Sequence, residues 1–185
     1  GGAAGAVPSP RPADFVPGPT GDLHGPFNHS KINSKDITNP RDGYVTHFRE
    51  VDYGPTPPSN TAPKLHVAAT PQEAQRTLEI VDAIARRRGV TYKFVDQTAA
   101  LADGAGFGRE LPGQTVNTQA GKFITVYAMP ADIVSFAKEL DAELTAAGLG
   151  KTAALAPGEV QLRPGSPITH RNEAALRGAP GGGYD

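Results

Sequence analysis

Cysteine is absent from the 185-residue chain. That excludes disulfides, thiolate zinc sites and a cysteine nucleophile, and it leaves the redox compartment open. Long apolar runs are also missing: no stretch approaches the ~18 residues of a membrane-spanning helix. The first 19 residues lack the charged-then-apolar pattern of a signal peptide. The net charge is only -1, so no global field draws the chain to nucleic acid or to an anionic membrane. Any anion site must be a local cluster. Neither HExxH nor GxSxG occurs, and no internal repeat is visible. Gly104-Ala105-Gly106-Phe107-Gly108 lacks the Lys-Ser/Thr ending of a phosphate loop and reads as a flexible loop.

What is abundant is punctuation. The 22 glycines and 18 prolines exceed a fifth of the chain, while hydrophobic residues reach only 38%. A sizeable irregular portion follows. It concentrates in residues 1–42, where Pro8, Pro10, Pro12, Pro17 and Pro19 block regular ladders. This segment reads as a flexible tail, or one that wraps the domain of residues 43–185. Within the domain a first strand spans residues 43–49. A Pro-rich loop leads to Lys64-Leu65-His66-Val67. Thr70 as N-cap, Pro71 at the first helical position and Glu73 completing a capping box open a helix. Ala74, Leu78, Val81, Ile84 and Ala85 form its apolar stripe and Gly89 its stop. Residues 90–95 read as a strand, 99–121 as a glycine-rich loop, and 122–129 as a strand with Phe123, Thr125 and Tyr127 on one face. A second helix carries Ile133, Phe136, Ala137, Leu140 and Leu144 and ends at Gly148; residues 159–162 read as a last strand. The fold class is α+β: a twisted mixed or antiparallel sheet with two main helices and long loops.

The chemistry resides in the basic residues. Alternation along a strand projects Lys64 and His66 from one face, while Leu65 and Val67 face a core. An apolar strand gains nothing structurally from two bases side by side. Lys93 is flanked by Tyr92 and Phe94, an apolar setting expected to lower a lysine pKa. Arg86, Arg87 and Arg88 end a helix and complement its dipole. Arg49, Arg109, Lys122, Arg171 and Arg177 are candidates to surround one anion pocket. Acids and bases gathered without a nucleophilic thiol point to proton-transfer chemistry on an anionic substrate.

The ordered series Lys64-Leu65-His66-Val67, Lys93 and Lys122-Phe123-Ile124-Thr125-Val126-Tyr127, closed by His170-Arg171-Asn172-Glu173, resembles the phosphothreonine lyases of the SpvC/OspF effector family. The stretch Lys64-Leu65-His66-Val67-Ala68-Ala69-Thr70-Pro71, with Gly121-Lys122-Phe123, resembles still more the lyase domain of class III and IV lanthipeptide synthetases. The resemblance covers residues 43–183. It implies β-elimination of phosphate from phosphothreonine or phosphoserine in a phosphorylated peptide, giving dehydrobutyrine or dehydroalanine, with no metal or organic cofactor. It implies Lys93 as the base that takes the α-proton and His66 as the acid on the leaving phosphate. Lys64 neutralises developing charge, and Tyr127 is an active-site tyrosine. Arg49, Arg171 and Lys122 match phosphate-side cations, and Arg177 lies in the matching carboxy-terminal segment. The central-loop arginine has Arg109 as its candidate, although Asn117 falls closer by spacing.

Two settings follow. In lanthipeptide maturation a partner or fused Ser/Thr kinase phosphorylates a precursor peptide in the bacterial cytoplasm. In the effector setting the chain is secreted into a host cell and inactivates a phosphoprotein such as a mitogen-activated protein kinase. A non-catalytic phosphopeptide-binding module is the remaining alternative. No nucleic-acid or membrane partner is expected.

Overall fold

The computed structural model describes residues 29–41, 44–58, 63–96, 106–107 and 120–170. Seven strands form one sheet: β1 (Lys35–Arg41), β2 (Tyr44–Val51), β3 (Leu65–Val67), β4 (Thr91–Val95), β5 (Ile124–Tyr127), β6 (Val160–Gln161) and β7 (Ile168–His170). Their order across the sheet is β1-β2-β4-β5-β3-β7-β6. Every adjacent pair is antiparallel, so of the two sheet types expected the described residues form the antiparallel one. Two helices, α1 (Ala74–Arg88) and α2 (Ile133–Ala146), complete the architecture. Neither is long and apolar enough to cross a membrane.

The start of α1 follows its sequence signals. Thr70 is extended and its hydroxyl accepts the Glu73 N–H at 3.2 Å, with Pro71 opening a short 3-10 turn. The Glu73 carboxylate, however, accepts from the Gly150 N–H at 3.1 Å. The expected reciprocal capping box becomes a tie between the start of α1 and the turn after α2, because a buried donor 77 positions along the chain needs the acceptor more. Gly89 ends the helix with φ 67°, the left-handed conformation that glycine adopts without steric cost. The arginines of the last turn also couple the helices: Arg87 and Arg88 both pair with Glu139 of α2.

The two helical stripes are buried as their spacing requires. Leu78, Val81, Ile84, Ile133, Phe136 and Leu140 are each fully enclosed, worth roughly 1.5–3 kcal/mol per large side chain. They share a core with Leu65, Val67, Tyr92, Phe94, Ile124, Val126 and Ile168, the residues of one sheet face. Asp82 of α1 fixes that packing by accepting from Tyr92 Oη at 2.8 Å and Tyr53 Oη at 2.7 Å.

Two strands were not foreseen. β1 falls inside the segment read as a tail, and its pairing with β2 extends from Lys35 to Arg41. Pro40 lies within it, as an edge strand permits. The sheet therefore takes in residues before residue 43. At the other side, β7 is three residues long, too short for periodicity to reveal.

Candidate active site

Antiparallel register builds the site. Directly opposed residues share a face, and the pairings link Lys35 to Glu50, Glu50 to Lys93, Lys93 to Thr125, Thr125 to His66, His66 to Thr169, and Thr169 to Gln161. One polar residue from each of the seven strands thus lies in a single lateral row, on the face away from the helices. Lys93 and His66 flank Thr125 from either side. Two strand spacings, roughly 10 Å, separate their backbones.

Beside this row lies an apolar one, Ile37, Phe48 and Val95, with Phe123 adjoining it through the Val95 N–H to Phe123 carbonyl bond. Phe107 packs on Phe123 with ring centroids 5.3 Å apart. On the opposite side stands Tyr127, two residues beyond Thr125. Its ring centroid is 5.6 Å from Lys64 Nζ and 5.8 Å from Lys93 Nζ, so two cations share one ring. Burial, and then the charge of Glu50, push the Tyr127 phenol up to about 12. It stays protonated at neutral pH and can donate a hydrogen bond.

The Lys93 ammonium also lies 4.1 Å from the centroid of the Phe48 ring. Its sequence neighbours Tyr92 and Phe94 are fully buried on the helix face. The aromatic surroundings expected for Lys93 therefore come from Phe48 and Tyr127, on β2 and β5. Alternation removes the adjacent rings and cross-strand pairing supplies others.

His66 Nδ1 is 2.7 Å from Glu159 Oε1, and the Glu159 side chain has no solvent exposure. Thr169 Oγ1 donates to the same oxygen at 2.9 Å. Burial alone would raise the Glu159 carboxyl. The hydrogen bond and charge of His66, the Thr169 hydroxyl and the charge of Lys122 together hold it below the usual carboxylate range. Glu159 was not among the residues singled out from sequence. It stands in a turn 93 positions from His66, and only the β3–β7–β6 pairing brings the two together.

The placement of that turn depends on Gly121. Its φ is 75°, and a Cβ there would meet the Ala156 nitrogen at 2.1 Å. The bare glycine lets the backbone before Glu159 lie against the start of β5, next to Lys122.

Four of the expected residues, Lys64, His66, Lys93 and Tyr127, thus converge on one face, with Lys122 beside Glu159. Arg49 does not join them. It registers with Phe94 and Asp36, on the face opposite Glu50 and Lys93. Its guanidinium is held by Ser34 Oγ at 2.6 Å, the Ser34 carbonyl at 3.0 Å and the Asp36 carboxylate. A one-residue change of parity inverts the face, which motif spacing alone does not register. Arg109, Arg171 and Arg177 lie outside the described residues.

In overall structure the chain is similar to the type III effector/phosphothreonine lyase OspF from Shigella flexneri, with 15% identity over 77% of this chain and 73% of that one and a TM-score of 0.48. It is similar to the phosphothreonine lyase SpvC, an effector protein from Salmonella, at 15% identity, 78% and 74% coverage and a TM-score of 0.48. It is also similar to the VirA (SpvC) phosphothreonine lyase effector of Chromobacterium violaceum, at 12% identity, 94% and 81% coverage and a TM-score of 0.48. No curated protein matches the chain in sequence. The family described as RamC, N-terminal domain, matches residues 37–165, which span β1 to the turn before β7, and the chain belongs to that family.

Proposed function

We propose that this domain is a phosphothreonine/phosphoserine lyase that removes phosphate from a phosphorylated precursor peptide during lanthipeptide maturation. The observation that carries the reading is the lateral row, in which Lys93 and His66 flank Thr125 on one face. β-Elimination needs a base at Cα–H and an acid at the oxygen on the neighbouring carbon. Two groups on one face, from strands on either side of β5, suit that demand.

Neutral Lys93 Nζ takes the α-proton. The electron pair of the Cα–H bond forms the Cα=Cβ bond, and the Cβ–O bond breaks with its electrons going to phosphate. His66 delivers a proton to that oxygen. The products are dehydrobutyrine or dehydroalanine and inorganic phosphate. Lys64, against the Tyr127 ring, offsets the charge that accumulates on the leaving group. The protonated Tyr127 phenol supplies a hydrogen bond at the same end. Arg171, Arg177 and Arg109 are the proposed phosphate-side cations beyond the described residues. Membership in the RamC N-terminal domain family supports the peptide-maturation setting over the effector setting, and with it a partner or fused kinase.

The test is incubation with phosphothreonine and phosphoserine peptides under mass spectrometry, with and without chelator. The expected product is about 18 Da lighter than the never-phosphorylated peptide, because elimination removes the hydroxyl oxygen together with the phosphate. Recovery of the hydroxyl peptide would mean a phosphatase, and unchanged phosphopeptide would mean a binding module.

A further inference from the structure

Glu159 has no place in the proton transfers assigned above, yet its environment is a specific one. A carboxylate costs several kcal/mol to bury unless it is paired and hydrogen-bonded. Here a side chain with no solvent exposure meets His66 Nδ1 at 2.7 Å and Thr169 Oγ1 at 2.9 Å, both on Oε1. Thr169 is itself buried and is the register partner of His66. The contact is therefore anchored in the sheet, although Glu159 itself stands in a turn. The close approach of Gly121 to Ala156 packs the backbone just before that turn against the segment leading into β5.

We propose that Glu159 is a positioning residue for His66: its carboxylate accepts the Nδ1–H, fixes the orientation of the imidazole, and leaves the transferable proton on Nε2 across the ring. The two ring nitrogens are distinct, and the partner of one decides what the other carries. An ionised acceptor at Nδ1 also favours the imidazolium form, the form a general acid requires. The other ionisable side chains near this row are Lys64, just before β3, Lys93 on β4, which acts as a neutral base, Lys122 before β5, beside Glu159, and Glu50 on β2, opposite Lys93. The protonated Tyr127 on β5 and Thr169 on β7 add no charge. Among these described neighbours Glu159 is the anion in contact with the ring. Without it, the imidazole would lose the ionised acceptor that favours its charged form.

The proposal deepens the lyase reading and rests on it for turnover, but the state of the His66 ring can be read without substrate. Glu159→Gln, Glu159→Asp and Thr169→Val are compared with the wild-type chain in two measurements. The first is kcat and phosphopeptide Kd. The second is the NMR titration of the His66 imidazole, assigned by its loss in His66→Ala. Glu159→Gln is expected to lower kcat about 10- to 100-fold, part of the 10²–10⁴ that a general acid supplies, with Kd within twofold. It should lower the apparent His66 pKa by about a unit or more. Glu159→Asp should recover part of both effects. Thr169→Val, which keeps the carboxylate and removes one of its donors, should shift both in the same direction by less. That variant keeps the question open to measurement if Glu159→Gln does not fold.

A Glu159→Gln chain with wild-type kcat would overturn the proposal. So would a loss of kcat with an unchanged His66 titration, which would mean that Glu159 only holds the turn. If the wild type eliminates phosphate from no phosphopeptide, the lyase reading fails. The His66 titration then still decides the pairing: a shift upholds it and no shift overturns it.

Discussion

The Lys93 ammonium lies 4.1 Å from the centroid of the Phe48 ring, although 45 positions separate the two residues in sequence. β2 brings Phe48 next to β4, and the ring forms one wall beside the lysine while Tyr127 forms another. The lysine is thereby held at the row that contains Thr125 and His66.

Lys93→Ala removes the group assigned to α-proton abstraction and leaves the cations around the phosphate. Turnover should fall by about 10²–10⁴, or roughly 3 to 5 kcal/mol of barrier, with phosphopeptide Kd within threefold of wild type. Lys93→Arg should not restore it, because a guanidinium stays protonated and cannot act as a base. Single-turnover kinetics with calorimetric Kd measurements separate the two effects. An active Lys93→Arg chain would assign the base elsewhere.

The parts of this architecture that local rules govern were legible in the sequence. Both helices, the Thr70 cap, the Gly89 stop and the shared face of Lys64 and His66 follow from spacings within a few residues. What needed the third dimension was register. Arg49 carries the right chemistry for a phosphate ligand, but its parity along β2 sends it to the other face. Glu159 carries no motif at all; two short strands, β6 and β7, place it. β1 was hidden because proline and glycine content marks irregularity, and an edge strand tolerates proline.

The position of Arg49 makes a clear distinction. Its partners are Ser34 and Asp36, with Asp96 3.9 Å away. Arg49→Ala should loosen residues 34–36 and cost on the order of 1–3 kcal/mol in urea denaturation. The phosphopeptide KM should stay within twofold of wild type. Arg171→Ala, at a proposed phosphate contact, should raise KM and spare stability. The reverse pattern would return Arg49 to the phosphate site.

Tyr127 links the site to alkaline stability. Its folded-state value of about 12 stands above the ordinary ~10 of an unfolded tyrosine. Below pH 10 the phenol is protonated in both states and its contribution is fully present. Between about pH 10 and 12 the unfolded chain binds fewer protons, so stability falls as pH rises. The full loss is roughly 2–3 kcal/mol for a shift of this size. Tyr53 and Tyr92, raised first by burial and next by Asp82, add to the same slope. Tyr127→Phe should therefore flatten the fall of urea-unfolding free energy across this window without abolishing it. An unchanged slope would show that the Tyr127 phenol is not protected by the fold.

Gly121 offers a test of how the turn before Glu159 is held. Its φ of 75° is nearly that of Gly158, at 74°, so an alanine meets the same left-handed backbone at either position. That conformation costs roughly 1–2 kcal/mol for a residue with a Cβ. The surroundings differ. At Gly158 a Cβ would meet nothing within 4 Å, whereas at Gly121 it would fall 2.1 Å from the Ala156 nitrogen and 2.4 Å from the Leu155 carbonyl carbon. Those are backbone atoms and cannot rotate away. Gly158→Ala should lose only the conformational cost. Gly121→Ala should lose that and, by forcing the 155–156 backbone outward, at least about 2 kcal/mol more, in the range typical of overpacking. Because Glu159 follows three residues later, Gly121→Ala should also weaken the His66 contact and lower kcat, while Gly158→Ala leaves the carboxylate seated. Equal losses of stability in the two variants, measured by urea denaturation, would show that the close approach of Gly121 to Ala156 does not hold the turn.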